Sequence, residues 1–148
     1  MTRINIGRVV LGGLVAGLVI NASEFVLNML VVGDQMNAAV QRLNLPPVGG
    51  RAIVGFTVGG FVLGIALIWV YAAIRPRFGP GPRTALIAGA AVYFLAYLYP
   101  GYGLELMSIF PTRLMMISLL WGLVEVLVAA VAGAALYQES SPAAAARL

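Results

Sequence analysis

The chain has 148 residues, of which 61% are hydrophobic and only 9% charged, and its net charge is +4. Soluble domains carry about 25% charged residues, so this chain cannot cover itself with a water-compatible surface, and its solvent is lipid. With no cysteine and no histidine, disulfides, thiolate metal sites, cysteine nucleophiles and the commonest general base are excluded.

Four apolar segments follow in chain order, each long enough to cross a hydrocarbon core that takes roughly 20 helical residues. They run from about 7 to 32, 52 to 74, 84 to 99 and 114 to 137. Helices are expected rather than a barrel, because the runs lack alternating polar residues. The expected fold is all-α: one integral membrane domain over 1–148, a four-transmembrane-helix bundle, with a mobile low-complexity tail over 138–148. The basic start of the first segment and the "INA" within it look like parts of a signal peptide. The apolar run continues past that point, so an uncleaved helix is expected. Arg8 and Arg83 open the first and third segments, and Arg51 and Arg113 the second and fourth. That layout is compatible with two tandem helical hairpins, although the side chains match poorly beyond it.

All nine basic residues are arginine, which GC-rich coding accounts for. They are scattered at helix ends rather than collected in a stripe, which argues against nucleic acid as a partner. Arg3, Arg8, Arg75, Arg77, Arg83 and Arg147 fall on one side, against Arg42, Arg51 and Arg113 on the other. The positive-inside rule then places both termini in the cytoplasm, in the inner membrane of a bacterium. Trp69, Tyr71, Tyr99, Tyr102 and Tyr137 are expected as an interfacial aromatic belt. In the first loop, Asp34 is expected to start a short surface helix that runs through Leu43 and stops at Pro46 and Pro47.

The helix faces carry the functional clues. At ~100° per residue, Gly13, Gly17, Asn21, Glu24 and Asn28 share an arc of about 80° on the first helix. On the fourth, Ser118, Gly122, Glu125, Ala129, Ala132 and Gly133 share a face. The second has two small stripes: Thr57, Gly60, Gly64 and Tyr71 on one side, and Ala52, Gly55, Gly59, Ala66 and Ala73 opposite. On the third, Ala85, Gly89, Tyr93, Ala96 and Tyr97 fall together. Small residues let helix backbones approach closely, and asparagines hydrogen-bond across helices. Helix packing is therefore assigned to Gly13, Gly17, Gly55, Gly59, Gly60, Gly64, Gly122, Ala129 and Gly133. One stripe of the second helix is expected inside the bundle and the other against a neighbour.

Glu24 and Glu125 cannot face lipid cheaply, because a charged carboxylate at the bilayer centre costs about 2.5–3.5 kcal/mol even on insertion scales. Both are expected to face the bundle interior. Glu125 lies near the middle of its helix and Glu24 about 5–10 Å toward the outer face. A polar cleft opening outward is expected from Asn21, Glu24, Asn28, Tyr93, Tyr97 and Arg113, with Glu125 deeper. Two roles compete for each carboxylate: proton, cation or polar-ligand handling, and plain helix packing. No nucleophile–base pair and no phosphate-binding loop is visible, so neither an enzyme nor a cofactor is expected. The pieces "GRVVLGGLVAGLVINASEFVLN", "AAIRPRFGPG" and "FPTRLMMISLLWGLVEV" resemble groups of small bacterial four-helix membrane proteins, a resemblance that implies the fold and no function. Two functions are carried forward: a binding or transport module around the intramembrane carboxylate, and a non-catalytic accessory subunit. The expected partners are the lipid bilayer and either a second copy or a larger membrane complex.

Overall fold

A computed structural model describes residues 4–139. Arg3, Arg147 and most of the tail expected over 138–148 lie outside the described residues. Four helices are long and apolar enough to span a membrane: α1 (Ile6–Val31), α3 (Gly50–Phe78), α4 (Pro82–Leu106) and α5 (Thr112–Ala134). A short amphipathic helix, α2 (Gly33–Arg42), follows α1. There are no strands among the described residues. The bundle is the one expected, and four spans put the described ends of the chain on the same side.

Local sequence explains the boundaries. The Asn5 side chain caps α1 by accepting a hydrogen bond from the Arg8 amide at 3.2 Å, which supplies one of the orphan amides of a helix start. The second span was expected to end near residue 74. It continues to Phe78 and stops at Gly79, whose φ of +84° suits glycine. Pro82 then opens α4, where its missing N–H costs nothing.

The third span departs most from expectation. It does not end at Tyr99 but runs through Pro100 and Gly101 to Leu106. A proline inside a helix removes one N–H and clashes with the carbonyl four residues back. Here that carbonyl belongs to Ala96, inside a π-helical turn over Phe94–Leu98, where the Tyr99 amide donates to the Phe94 carbonyl. The wider turn absorbs the proline, and the helix goes on. A second π turn, Leu27–Val31, closes α1.

Close packing runs down one seam. A Cβ added at Gly17 would lie 2.7 Å from the Phe61 Cα, and one added at Gly64 would collide with the backbone of Gly13 and Gly17. Gly13 in turn lies against the backbone of Ile65. Only glycine permits this approach of α1 to α3. Gly12 and Gly133 meet in the same way between α1 and α5, at 2.5 Å from a Gly12 Cβ to the Gly133 carbonyl oxygen. Ala129 is fully buried in the core that these contacts close. The opposite stripe of α3 behaves differently: a Cβ at Gly55 or Gly59 meets nothing within 4 Å. Gly55 and Gly59 therefore meet no packing partner among the described residues. From Gly50 to Gly59 every residue of α3 is exposed.

At the termini end the bundle is closed by aromatics. Tyr71 and Tyr137 were expected at an interface, but both are buried, with ring centroids 5.8 Å apart in an edge-to-face pair. Each hydroxyl accepts a backbone N–H, from Gly81 and Asn5 respectively, so the tyrosines can be buried without orphaning a polar group. The Arg75 guanidinium lies 5.4 Å from the centroid of the Tyr137 ring and pairs with Glu139 at 3.2 Å. At the other end the short α2 helix docks on the bundle through Ala39 and Met36 against Leu27, Val32 and Leu114.

Candidate functional site

The polar residues expected to form one cleft divide into three groups. Glu125 is the most buried acid, at 4% exposure. It projects from the middle of α5, where Gly122, one turn earlier, leaves room for a ring. A Cβ there would lie 2.6 Å from Tyr97 Cδ1. Tyr97 fills that space from the π turn of α4, and its hydroxyl donates to Glu125 Oε1 at 2.9 Å. The other oxygen, Oε2, is buried and makes no hydrogen bond of good geometry among the described residues, although the Ser23 hydroxyl lies close enough to the carboxyl to serve as a donor to it. Buried polar groups are almost always paired, so an orphan in a native fold calls for a cause.

Glu24 stands on α1 within electrostatic range of both Glu125 and Tyr97. It is half-buried, and Asn28 donates from one amide nitrogen to its carboxylate and to its backbone carbonyl, each at 2.9 Å. Asn28 itself is exposed and lies in the π turn that ends α1. The expected pairing of Glu24 with a flanking amide is therefore present, but it is made within one helix.

The remaining expected members do not join. Asn21 turns to α3, donating to the Gly17 and Thr57 carbonyls at 2.8 and 3.2 Å. Its carboxamide covers Gly60, so it is a seam residue and not a cleft residue. Tyr93 stacks on Tyr97 with centroids 5.9 Å apart, but its hydroxyl donates to the Leu119 carbonyl at 3.0 Å and is already satisfied. Arg113 is exposed at the start of α5 and makes no ion pair among the described residues. Glu105, near the end of α4, accepts from Thr112 at 2.7 Å.

Two residues that sequence reasoning left out belong here. The Trp121 indole N–H donates to the Ser23 hydroxyl at 2.8 Å and ties α5 to α1. Both line a groove of about 600 Å³ with Val19, Leu120, Val124 and Glu125. Trp121 lies one helical turn before Glu125 and Ser23 directly before Glu24. That adjacency was the available signal. Leu120, Val124 and Val128 along the groove are 59, 63 and 53% exposed, so in a bilayer it opens sideways toward lipid rather than outward to water. The reason is that the Gly12–Gly133 contact closes one end of the α1–α5 gap and the α2 cluster closes the other.

A second cleft, about 510 Å³, lies at the end remote from the termini between α2 and the α4–α5 connection, and includes Arg42, Glu105 and Thr112. No group of three or more acids that could hold a metal ion occurs among the described residues. Set against protein-family models, curated proteins and solved structures, the chain matches none.

Proposed function

We propose that the protein is a small multi-pass module of the bacterial inner (cytoplasmic) membrane that binds or moves a proton, a cation or a polar ligand at the Glu125–Tyr97–Glu24 centre. The arginine distribution supports both termini, and the turn around Gly79, being cytoplasmic. The reading is non-catalytic. One observation carries it: Glu125 is buried at mid-membrane with one oxygen bonded to Tyr97 and the other unpartnered. An orphaned buried acceptor costs about 1–3 kcal/mol, and of the two carboxyls that carry one, Glu105 and Glu125, Glu125 is the one at the middle of a spanning helix. An orphan held in place is explained by a proton or ligand that comes and goes. Intramembrane acids facing a bundle interior are by default functional hypotheses.

Infrared difference spectra between acidic and alkaline buffer, recorded on the protein in lipid, test this. The parent is expected to show a carboxyl band that disappears in Glu125→Gln and survives, shifted, in Glu24→Gln. Identical difference spectra for parent and Glu125→Gln would reduce Glu125 to a packing group.

A second reading is favoured by a separate feature. The exposed first third of α3, Gly50–Gly59, with Gly55 and Gly59 on its small stripe, is what an accessory subunit would press against a larger membrane partner or a second copy.

A further inference from the structure

The spanning helices carry their arginines near their ends (Arg8, Arg51, Arg75, Arg77, Arg83 and Arg113), whereas two of their three acids, Glu24 and Glu125, lie away from the ends. No arginine occurs between Arg8 and Arg42, between Arg51 and Arg75, between Arg83 and Arg113, or from Arg113 to the end of α5. Among the described residues the one ion pair is Arg75–Glu139, at the termini end. The Glu24–Glu125 centre thus has no cation of its own. A metal ion is a poor complement, because hard cations take six or more oxygen ligands and the groove beside Glu125 is walled by Val19, Leu120, Val124 and Val128. An organic cation fits both halves of that description. Its nitrogen would meet the acid, and its carbon chain would lie along the aliphatic walls. Ligand pockets of about 300–1,000 Å³ that are mostly apolar with a few placed polar groups are the ordinary form of a small-molecule site.

We propose, building on the reading of Glu125 as the functional acid, that the α1–α5 groove admits a lipophilic amine from the bilayer and presents it to Glu125 Oε2. The orphaned oxygen is a hydrogen-bond acceptor, so the bound ligand has an N–H to donate, which separates a primary, secondary or tertiary amine, once protonated, from a quaternary ammonium. If the amine arrives neutral and the carboxyl protonated, one proton passes from Oε2 to the nitrogen, leaving an ammonium–carboxylate pair with no net charge in the membrane. Oε2 is covered in this structure, and the Trp121–Ser23 hydrogen bond joins the two walls of the same groove, so entry parts α1 from α5 locally and changes the surroundings of the indole. Phospholipid headgroups are excluded as the source, since Glu125 lies two residues from the midpoint of a 23-residue helix, within about 3 Å of the centre along the axis.

The chain has two tryptophans, and Trp69 is exposed, so a Trp69→Phe background leaves Trp121 as the one reporter. In vesicles of uncharged-headgroup or zwitterionic lipid, dodecylamine is expected to change Trp121 emission saturably, whereas dodecanol and dodecanoate are not. The half-saturating concentration should rise about tenfold or more in Glu125→Gln, which removes a charge-assisted hydrogen bond. Val124→Phe should raise it similarly by filling the groove, and because Val124 is 63% exposed that variant keeps its fold even if Glu125→Gln does not. A dodecylamine response that fails to saturate, or is the same in parent and Val124→Phe, is simple partitioning into lipid and overturns the proposal. Failure of dodecylamine while the Glu125 infrared band still titrates would remove the ligand class and leave the acid's role standing. Loss of both would remove both.

Discussion

Two helix seams of this bundle are built from opposite materials. Between α1 and α3, Gly13, Gly17 and Gly64 bring backbone against backbone, and the one polar side chain there, Asn21, is spent on the Gly17 and Thr57 carbonyls. Between α4 and α5, stacked tyrosines fill the space that Gly122 leaves, and their hydroxyls reach Leu119 and Glu125. The first seam has nothing left unsatisfied and no room to adjust. The second carries a carboxyl with an oxygen to spare. A small membrane protein can thus separate its roles: one rigid seam holds the fold, so that the other can keep an unpaired acid without the bundle falling apart.

The largest effect that would break this contrast comes from Gly64→Leu. Its Cβ would run into the backbone of Gly13 and Gly17, which no rotamer change relieves, and overpacking of that kind costs about 3 kcal/mol or more. Loss of the folded monomer in detergent, or a much lower midpoint in thermal unfolding, is expected. A smaller effect is expected for Asn21→Ala. Interhelical hydrogen bonds in membranes average about 0.6 kcal/mol, so the midpoint should fall slightly with the bundle intact. A fall as large as that of Gly64→Leu would show that the seam depends on the asparagine rather than on the glycines. Smallest of all should be Gly59→Leu, on the opposite stripe of the same helix, where nothing lies within 4 Å. Monomer stability should stay within about 0.5 kcal/mol of the parent. A large loss there would mean that the exposed stripe is covered in the native assembly, as in the accessory reading.

The number and course of the helices could be read from hydropathy alone, because lipid leaves the backbone few options. The seam glycines Gly13, Gly17 and Gly64 were equally legible as a stripe of helical period. Periodicity could not say which of α3's two small stripes faces inward, since both satisfy the same rule and only the partner helix decides. The third segment, expected to end at residue 99, runs on through Pro100 because the π turn over Phe94–Leu98 absorbs the proline, a backbone adjustment that hydropathy does not encode. Asn21 and Asn28 share an arc with Glu24, but an arc of about 80° is wide enough to touch two different neighbours, and the two amides serve different partners. Trp121 was hidden among lipid-facing residues of α5. Its indole tip turns back to Ser23, a direction that spacing along the sequence does not encode.

The bond between the Tyr97 hydroxyl and Glu125 is the feature on which the functional centre depends, and a double-mutant cycle addresses it directly. Tyr97→Phe removes the donor and leaves both carboxyl oxygens of Glu125 unpartnered. Glu125→Leu removes the acceptor and strands the tyrosine hydroxyl. Each alone is expected to cost about 1–3 kcal/mol, while the double variant, apolar on both sides, should cost little more than either and can approach the parent. Unfolding free energies of the four proteins in mixed detergent would supply the coupling. A coupling of about 1 kcal/mol or more is the expected result. Additivity within about 0.5 kcal/mol, the behaviour of residues that do not interact, would contradict a polar centre shared by α4 and α5.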